Sequence, residues 1–229
     1  MHPLVAVLLS YIAGSIPSAW IAGRVYRVDL RAQGSGNLGA TNVMRVLGPK
    51  VAALVFAVDI AKGALPVRFF PPLTPLDASM RVWLAVGCGI AAIAGHIRPV
   101  FLKFGKGGKG VATACGVFLA LAPLQTLLAL LIFVVVVFAS GYVSLASLTA
   151  AAALPVLLVA SIGYRSPLVV VGVVSAAFVF WTHRANIQRL RSGTEYRFGR
   201  AANFGRRPSL MLGIAILVLA AAFLAARVS

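Results

Sequence analysis

Acidic residues are nearly missing from this chain: 4 Asp+Glu stand against 21 Lys+Arg in 229 residues, a formal net charge of +17. Charge of any kind is scarce, at 11% of residues, where a soluble domain carries about a quarter. With 61% of residues hydrophobic, a soluble globule would have no polar surface to cover its apolar excess, and that class is excluded. Cysteine is reduced to Cys88 and Cys115, both inside apolar runs. They read as small core residues, and a disulfide framework is excluded. No His, Cys, Asp or Glu cluster has metal-ligand spacing, so the sequence implies neither a metal nor a cofactor. So basic a chain invites a nucleic-acid partner. Here the cations lie between apolar runs of membrane-spanning length, which points to membrane lipid and small anionic substrates, with no nucleic acid. No internal repeat of solenoid type is present.

A helix crosses a hydrocarbon core about 30 Å thick with about 20 apolar residues. Counting on that basis predicts spans at 4–23, 51–70, 82–97, 143–162, 168–181 and 210–226. The first does not read as a cleaved signal peptide, because Arg24 and Arg27 follow the apolar run instead of preceding it. The stretch 111–138 would be about 42 Å long as one helix, and Pro123 near its middle favours a break. Its first half, 111–122, would reach only about 18 Å.

Charge placement decides the topology. Most cations sit in three loops, holding Arg24, Arg27, Arg31, Arg45 and Lys50, then Arg98, Lys103, Lys106 and Lys109, then Arg184 through Arg207. The positive-inside rule places all three on the cytoplasmic face. That requires an even number of crossings between the second and third loops, hence a split at Pro123. The predicted fold is an all-α, polytopic integral membrane helical bundle with seven core transmembrane helices plus a C-terminal eighth. A membrane-embedded core is expected over 1–205, and an additional transmembrane segment over 206–229.

The loops are not ordinary connectors. The first reads Gly34-Ser35-Gly36-Asn37-Leu38-Gly39-Ala40-Thr41-Asn42, with Arg45 beyond. Glycines let successive N–H groups face one concavity, an anion nest, and the Arg fork suits phosphate oxygens. A flexible turn with a topology-setting Arg would look the same. The second runs from Gly95-His96 to Gly105-Lys106-Gly107-Gly108-Lys109-Gly110-Val111-Ala112-Thr113. A Gly/Lys loop feeding a helix N-terminus joins free N–H groups, the positive dipole end and ammonium charge, all suited to phosphate. It is not a Walker A loop, since Gly110 follows Lys109 and Lys103 stands where Gly is needed. The competing reading is a basic loop that meets anionic lipid heads. In the third, His183, Asn186 and Arg189 recur at i, i+3, i+6, so neighbours in the series share a helix face, and Gly193 is a helix stop. Asp59 and Lys62, at i, i+3 within the second span, read as an internal ion pair that holds the bundle.

Together these three loops resemble the signatures of the bacterial acyl-phosphate:glycerol-3-phosphate acyltransferases of the PlsY type. Gly14-Ser15-Ile16-Pro17 and Tyr142-Val143-Ser144-Leu145-Ala146-Ser147 resemble that family too, in order and spacing from about residue 4 to 198. Two departures are Ala185, where some members carry an acidic residue, and the span after 205. The resemblance implies transfer of a fatty acyl group from acyl phosphate to glycerol 3-phosphate. The products would be 1-acylglycerol 3-phosphate (lysophosphatidate) and phosphate, an early step of phospholipid biosynthesis at the cell inner membrane. It further implies association with the enzyme that makes acyl phosphate. By resemblance His183, Asn186, Lys109, Ser35 and Arg45 form the catalytic set, and Gly36, Asn37, Thr41, Asn42, Gly107, Gly108, Gly110 and Ser147 the substrate-binding set. Lys109, His183 and Asn186 would meet glycerol 3-phosphate. Ser35, Gly36, Thr41 and the backbone of Gly107 and Gly108 would meet acyl phosphate, with Arg45 and Ser147 nearby.

Both substrates are phosphates carrying up to about two negative charges near pH 7, so a site must supply cations and oriented N–H groups. Acyl phosphate is already activated, which leaves positioning, electrostatic stabilisation and a proton acceptor to the protein. An H-x-x-x-x-D motif is excluded, because the fifth residue after His2, His96 and His183 is Val7, Phe101 and Gln188. The acceptor is then His183 as a neutral base or, the preferred route, a substrate phosphate oxygen that His183 positions. A transporter of phosphorylated solutes and a scaffold for anionic lipid are the competing classes.

Overall fold

The computed structural model describes residues 1–198, and among these every regular element is helical. The chain forms two compact units that meet in sequence between Leu121 and Ala122. The first holds α1 (Pro3–Gly14), α2 (Ser18–Val25), α3 (Ala40–Leu47), α4 (Pro49–Phe69), α5 (Ala78–Ile97) and α6 (Val111–Leu121). The second holds α7 (Pro123–Ser140), α8 (Val143–Ile162), α9 (Pro167–Thr182) and α10 (Arg184–Arg191). Short 3-10 turns occupy Pro71–Leu73 and Val100–Leu102.

Among the described residues four segments are long and apolar enough to cross a membrane: Pro3–Val25, Ala78–Leu102, Pro123–Ser140 and Val143–Ile162. A fifth arises if α9 and α10, bent by 60° at His183, count as one. Large apolar side chains such as Leu4, Phe138 and Val170 stand exposed on these helices, as lipid contact requires. The protein is a multi-pass integral membrane protein. The span expected at 210–226, and the boundary expected after 205, lie outside the described residues.

The break expected at Pro123 is present. Ala122 leaves helical dihedrals at φ −148° and ψ 70°, and Pro123 opens α7, where its missing N–H costs nothing. α6 has 11 residues, about 16 Å of rise, and is too short to cross alone. The span expected at 4–23 is itself interrupted, since Ser15, Ile16 and Pro17 separate α1 from α2. Pro17 has no amide hydrogen to continue the ladder.

In the first unit, α1 packs on α5, and α4 packs on α6 and α3. The α4–α6 seam is close because its small residues oppose backbone. A methyl on Gly63 would lie 2.2 Å from the Thr113 carbonyl oxygen, and one on Gly116 would lie 2.0 Å from that of Ile60. Small residues give membrane helices their packing where burial from water supplies no drive. This seam fixes the N-terminus of α6 and hence the end of the Gly-rich loop. In the second unit α7 packs on α8, and α8 on α9.

Candidate active site

The first loop is organised by Asn42, which is 1% exposed in the first turn of α3. Its Oδ1 accepts from the Ser35 N–H at 2.7 Å and the Ser35 hydroxyl at 3.2 Å. Its Nδ2 donates to the carbonyls of Leu30 at 3.0 Å and Gln33 at 3.1 Å. The amide is therefore taken up in shaping the loop, and what it presents outward is Ser35, which is exposed. Gly34 and Gly36 hold φ +61° and +68°, left-handed values that favour glycine. Asn37 and Thr41 are half-buried, and Arg45 lies in the last turn of α3.

The second loop packs on the first within the same unit. A methyl on Gly108 would lie 2.7 Å from the Leu38 carbonyl oxygen, and Arg31 Nη2 donates to the Lys106 carbonyl at 3.5 Å. The Gly107 N–H donates to the Ile97 carbonyl at 2.9 Å and the Gly108 N–H to that of His96 at 3.3 Å. Those two amides thus cap the C-terminus of α5. The glycines contribute close backbone approach, and the N–H groups without intrahelical partners are those of the first turn of α6. Gly110, at φ +81°, turns the chain into that helix, and Lys109 is half-buried just before it.

In the second unit His183 ends α9 and precedes α10, and is 5% exposed. Its Nδ1 lies 2.8 Å from the Val179 carbonyl oxygen. A carbonyl only accepts, so Nδ1 carries a proton, and a neutral ring with that tautomer has its lone pair on Nε2. Asn186 and Arg189 meet one carboxylate. Asn186 Nδ2 donates to Glu195 Oε1 at 2.7 Å, Arg189 Nε to Oε2 at 2.7 Å, and the Ser144 hydroxyl to Oε1 at 3.1 Å. Burial alone would raise the Glu195 pKa. The Asn186 and Arg189 hydrogen bonds, the Arg189 charge and the Ser144 hydroxyl outweigh it and hold the carboxyl below the usual glutamate range. Gly193, at φ +71°, stops α10 and turns the chain so that Glu195 comes back onto it. Ser147 is buried on α8, and its hydroxyl donates to the Val143 carbonyl at 2.9 Å.

The structure thus brings Ser35, Gly36, Asn37, Thr41, Asn42, Arg45, Gly107, Gly108, Lys109 and Gly110 into one unit, and His183, Asn186 and Ser147 into the other. Glu195 and Ser144 are organisers that the spacing of functional groups did not single out. Both stand inside stretches that carry the family resemblance, Glu195 just behind the helix stop at Gly193 and Ser144 within 142–147, without a role of their own being read there.

Residues 4–193 match the glycerol-3-phosphate acyltransferase family. The glycerol-3-phosphate acyltransferase of Geotalea daltonii is 47% identical over 197 residues, covering 86% of this chain and 98% of that one. The Geobacter metallireducens protein of the same name is 52% identical over 198 residues, covering 85% and 98%. The crystal structure of PlsY, an integral membrane glycerol 3-phosphate acyltransferase, in its glycerol 3-phosphate form superposes with a TM-score of 0.78. Its sequence identity is 40%, with 86% of this chain and 96% of that one covered. The lysophosphatidic acid form of the same enzyme gives 0.76 at 39% identity. Helical membrane architecture and sequence agree, and the chain belongs to the glycerol-3-phosphate acyltransferase family, integral membrane acyltransferases of phospholipid biosynthesis.

Proposed function

We propose that the acyl donor is acyl phosphate and that the products are lysophosphatidate and inorganic phosphate. The observation that carries this reading is the packing of the Ser35 loop against the Gly-rich loop, Leu38 on Gly108, within one unit. That arrangement offers hydroxyl, guanidinium, ammonium and helix N-terminal N–H groups to phosphate oxygens. Ser35, Gly36 and Thr41 receive acyl phosphate on the loop that Gly107 and Gly108 shape; of the groups assigned to glycerol 3-phosphate, Lys109 belongs to the first unit and His183 and Asn186 to the second. Arg45 and Ser147 assist nearby, Asn37 and Gly110 contribute to the binding set, and Asn42 acts by holding Ser35 in place.

The hydroxyl oxygen of glycerol 3-phosphate forms a bond to the acyl carbon while the bond from that carbon to the bridging phosphate oxygen breaks. The hydroxyl proton passes to a phosphate oxygen, and His183 Nε2 accepts a hydrogen bond from the neighbouring hydroxyl of glycerol 3-phosphate, which aims the reacting one. Phosphate leaves with the electron pair of the broken bond. No metal or coenzyme A enters the balance.

The three basic loops face the cytoplasm in the cell inner membrane, an orientation that counts α4 and, despite its 11 residues, α6 among seven core spans. The Arg24 guanidinium over Trp20 and that of Arg184 over Trp181, each 5.1 Å from the ring centroid, fit interfacial anchoring of two of those loops. Facing the cytoplasm, the site takes a charged soluble substrate directly. It also allows association with the enzyme that makes acyl phosphate.

Purified protein supplied with acyl phosphate and glycerol 3-phosphate releases phosphate and lysophosphatidate one for one, unchanged by EDTA. Equal turnover with acyl coenzyme A alone overturns the donor assignment.

A further inference from the structure

Below the Gly-rich loop lies a buried polar cluster that the roles above do not use. Asp59 is 1% exposed, and Lys62 and His96 are 6%. Lys62 Nζ lies 2.7 Å from Asp59 Oδ1 and donates to the Ile16 carbonyl at 2.8 Å. The Ser18 hydroxyl donates to the same Oδ1 at 2.6 Å. The pair on α4 therefore meets both sides of the Pro17 break, and Lys62 adds a second donor to the Ile16 carbonyl, which the Ser18 N–H also meets at 3.0 Å.

His96 is not needed for that task. Its Nδ1 lies 3.6 Å from Asp59 Oδ1, within ion-pair range, and makes no hydrogen bond among the described residues. Its other ring nitrogen faces the loop, since a methyl on Gly108 would lie 2.2 Å from Nε2. The backbone of the same residue and of Ile97 accepts the Gly108 and Gly107 amides. A buried imidazole without a full set of partners is costly. Its place, with a pinned carboxylate at one edge and glycine backbone at the other, accounts for it.

We propose that Asp59 and His96 are positioning residues for the phosphate-binding loop. Lys62 and Ser18 fix the carboxylate, the carboxylate orients the imidazole, and the imidazole edge seats Gly108 and so aims Lys109 and the first turn of α6. This inference rests on the reading of the Gly-rich loop as the acyl phosphate cradle.

The test is steady-state kinetics on purified protein, with KM and kcat measured for both substrates. Gly107→Ala sets the signature of a displaced loop, because a methyl there would lie 2.1 Å from the His96 carbonyl oxygen. It is expected to raise KM for acyl phosphate and, through Lys109, for glycerol 3-phosphate. His96→Leu should raise the same KM values about tenfold, the scale of one substrate hydrogen bond lost from a displaced loop, with His96→Gln recovering part. The double variant Asp59→Asn with Lys62→Met removes both charges together, so neither is left buried alone. It should show the same KM change. Partial misfolding lowers the active fraction and hence kcat without moving KM, so a loss confined to kcat in His96→Leu and the double variant overturns the proposal and leaves a simple staple. Wild-type KM in both variants, beside a raised KM in Gly107→Ala, also overturns it. If Gly107→Ala moves neither KM, the cradle reading itself falls, and the positioning role with it.

Discussion

In the first unit the organising carboxylate, Asp59, is met by an ammonium one turn along its own helix, with side chains 1% and 4% exposed. In the second, Glu195 follows α10 and takes the guanidinium of Arg189, whose side chain is 40% exposed. Each carboxylate gathers polar partners from a second helix. They differ in what happens when one partner is lost. Lys62, left alone, has no water to turn to, whereas Arg189 does. The dry cluster should behave as a rigid part of the scaffold, and the wet one as a clamp whose strength depends on pH and salt.

The largest expected effect follows from that contrast. Asp59→Asn alone leaves Lys62 buried and unpaired, and should cost about 3–5 kcal/mol of stability, seen as a fall in the melting temperature of the purified protein. Glu195→Gln should cost less, about 1–3 kcal/mol, because Arg189 is partly solvated and its ion pair is screened. Equal losses in the two variants would erase the distinction between them. Salt sharpens it further, since raising ionic strength should weaken only the Glu195 clamp.

The pH dependence comes next. The folded pKa of Glu195 lies below its unfolded value, so its contribution is complete above about pH 4.3 and is lost as pH falls through the folded value. Melting temperatures taken downward from pH 7 should therefore drop at the acid end in the wild type. Glu195→Gln should show a shallower drop. A parallel decline in both proteins would assign acid lability elsewhere.

How much of this was legible beforehand follows from what a sequence records. Apolar length and a proline near the middle of 111–138 were enough to place the break at Pro123, because both act locally. The i, i+3, i+6 spacing correctly put Asn186 and Arg189 on one face, yet it did not show that Glu195 receives both. That contact needs the turn at Gly193 to bring the chain back. Asn42 reads as a ligand from its chemistry, but its Oδ1 and Nδ2 face into its own loop. The amides of Gly107 and Gly108 likewise turn to the end of α5. Composition states which donors exist, and only the folded loop decides which of them a substrate can reach. The Asp59–Lys62 pair reads from sequence as an internal ion pair that holds the bundle, and the structure puts it at a specific place, the Pro17 break, which hydropathy alone smooths over.

The central claim is that the basic loops form a specific phosphate site and not a diffuse cationic surface. Lys109, at the mouth of α6, and Lys103, exposed ahead of the Gly-rich segment, carry the same charge six positions apart in sequence. The decisive measurement is kcat/KM for glycerol 3-phosphate in Lys109→Ala and Lys103→Ala, side by side. Lys109→Ala should lose at least about tenfold, from a charge-assisted hydrogen bond worth roughly 1.5–3 kcal/mol, mostly as raised KM. Lys103→Ala should be nearly silent. If both fall equally, and only in proportion to lost net charge, the site described here is contradicted.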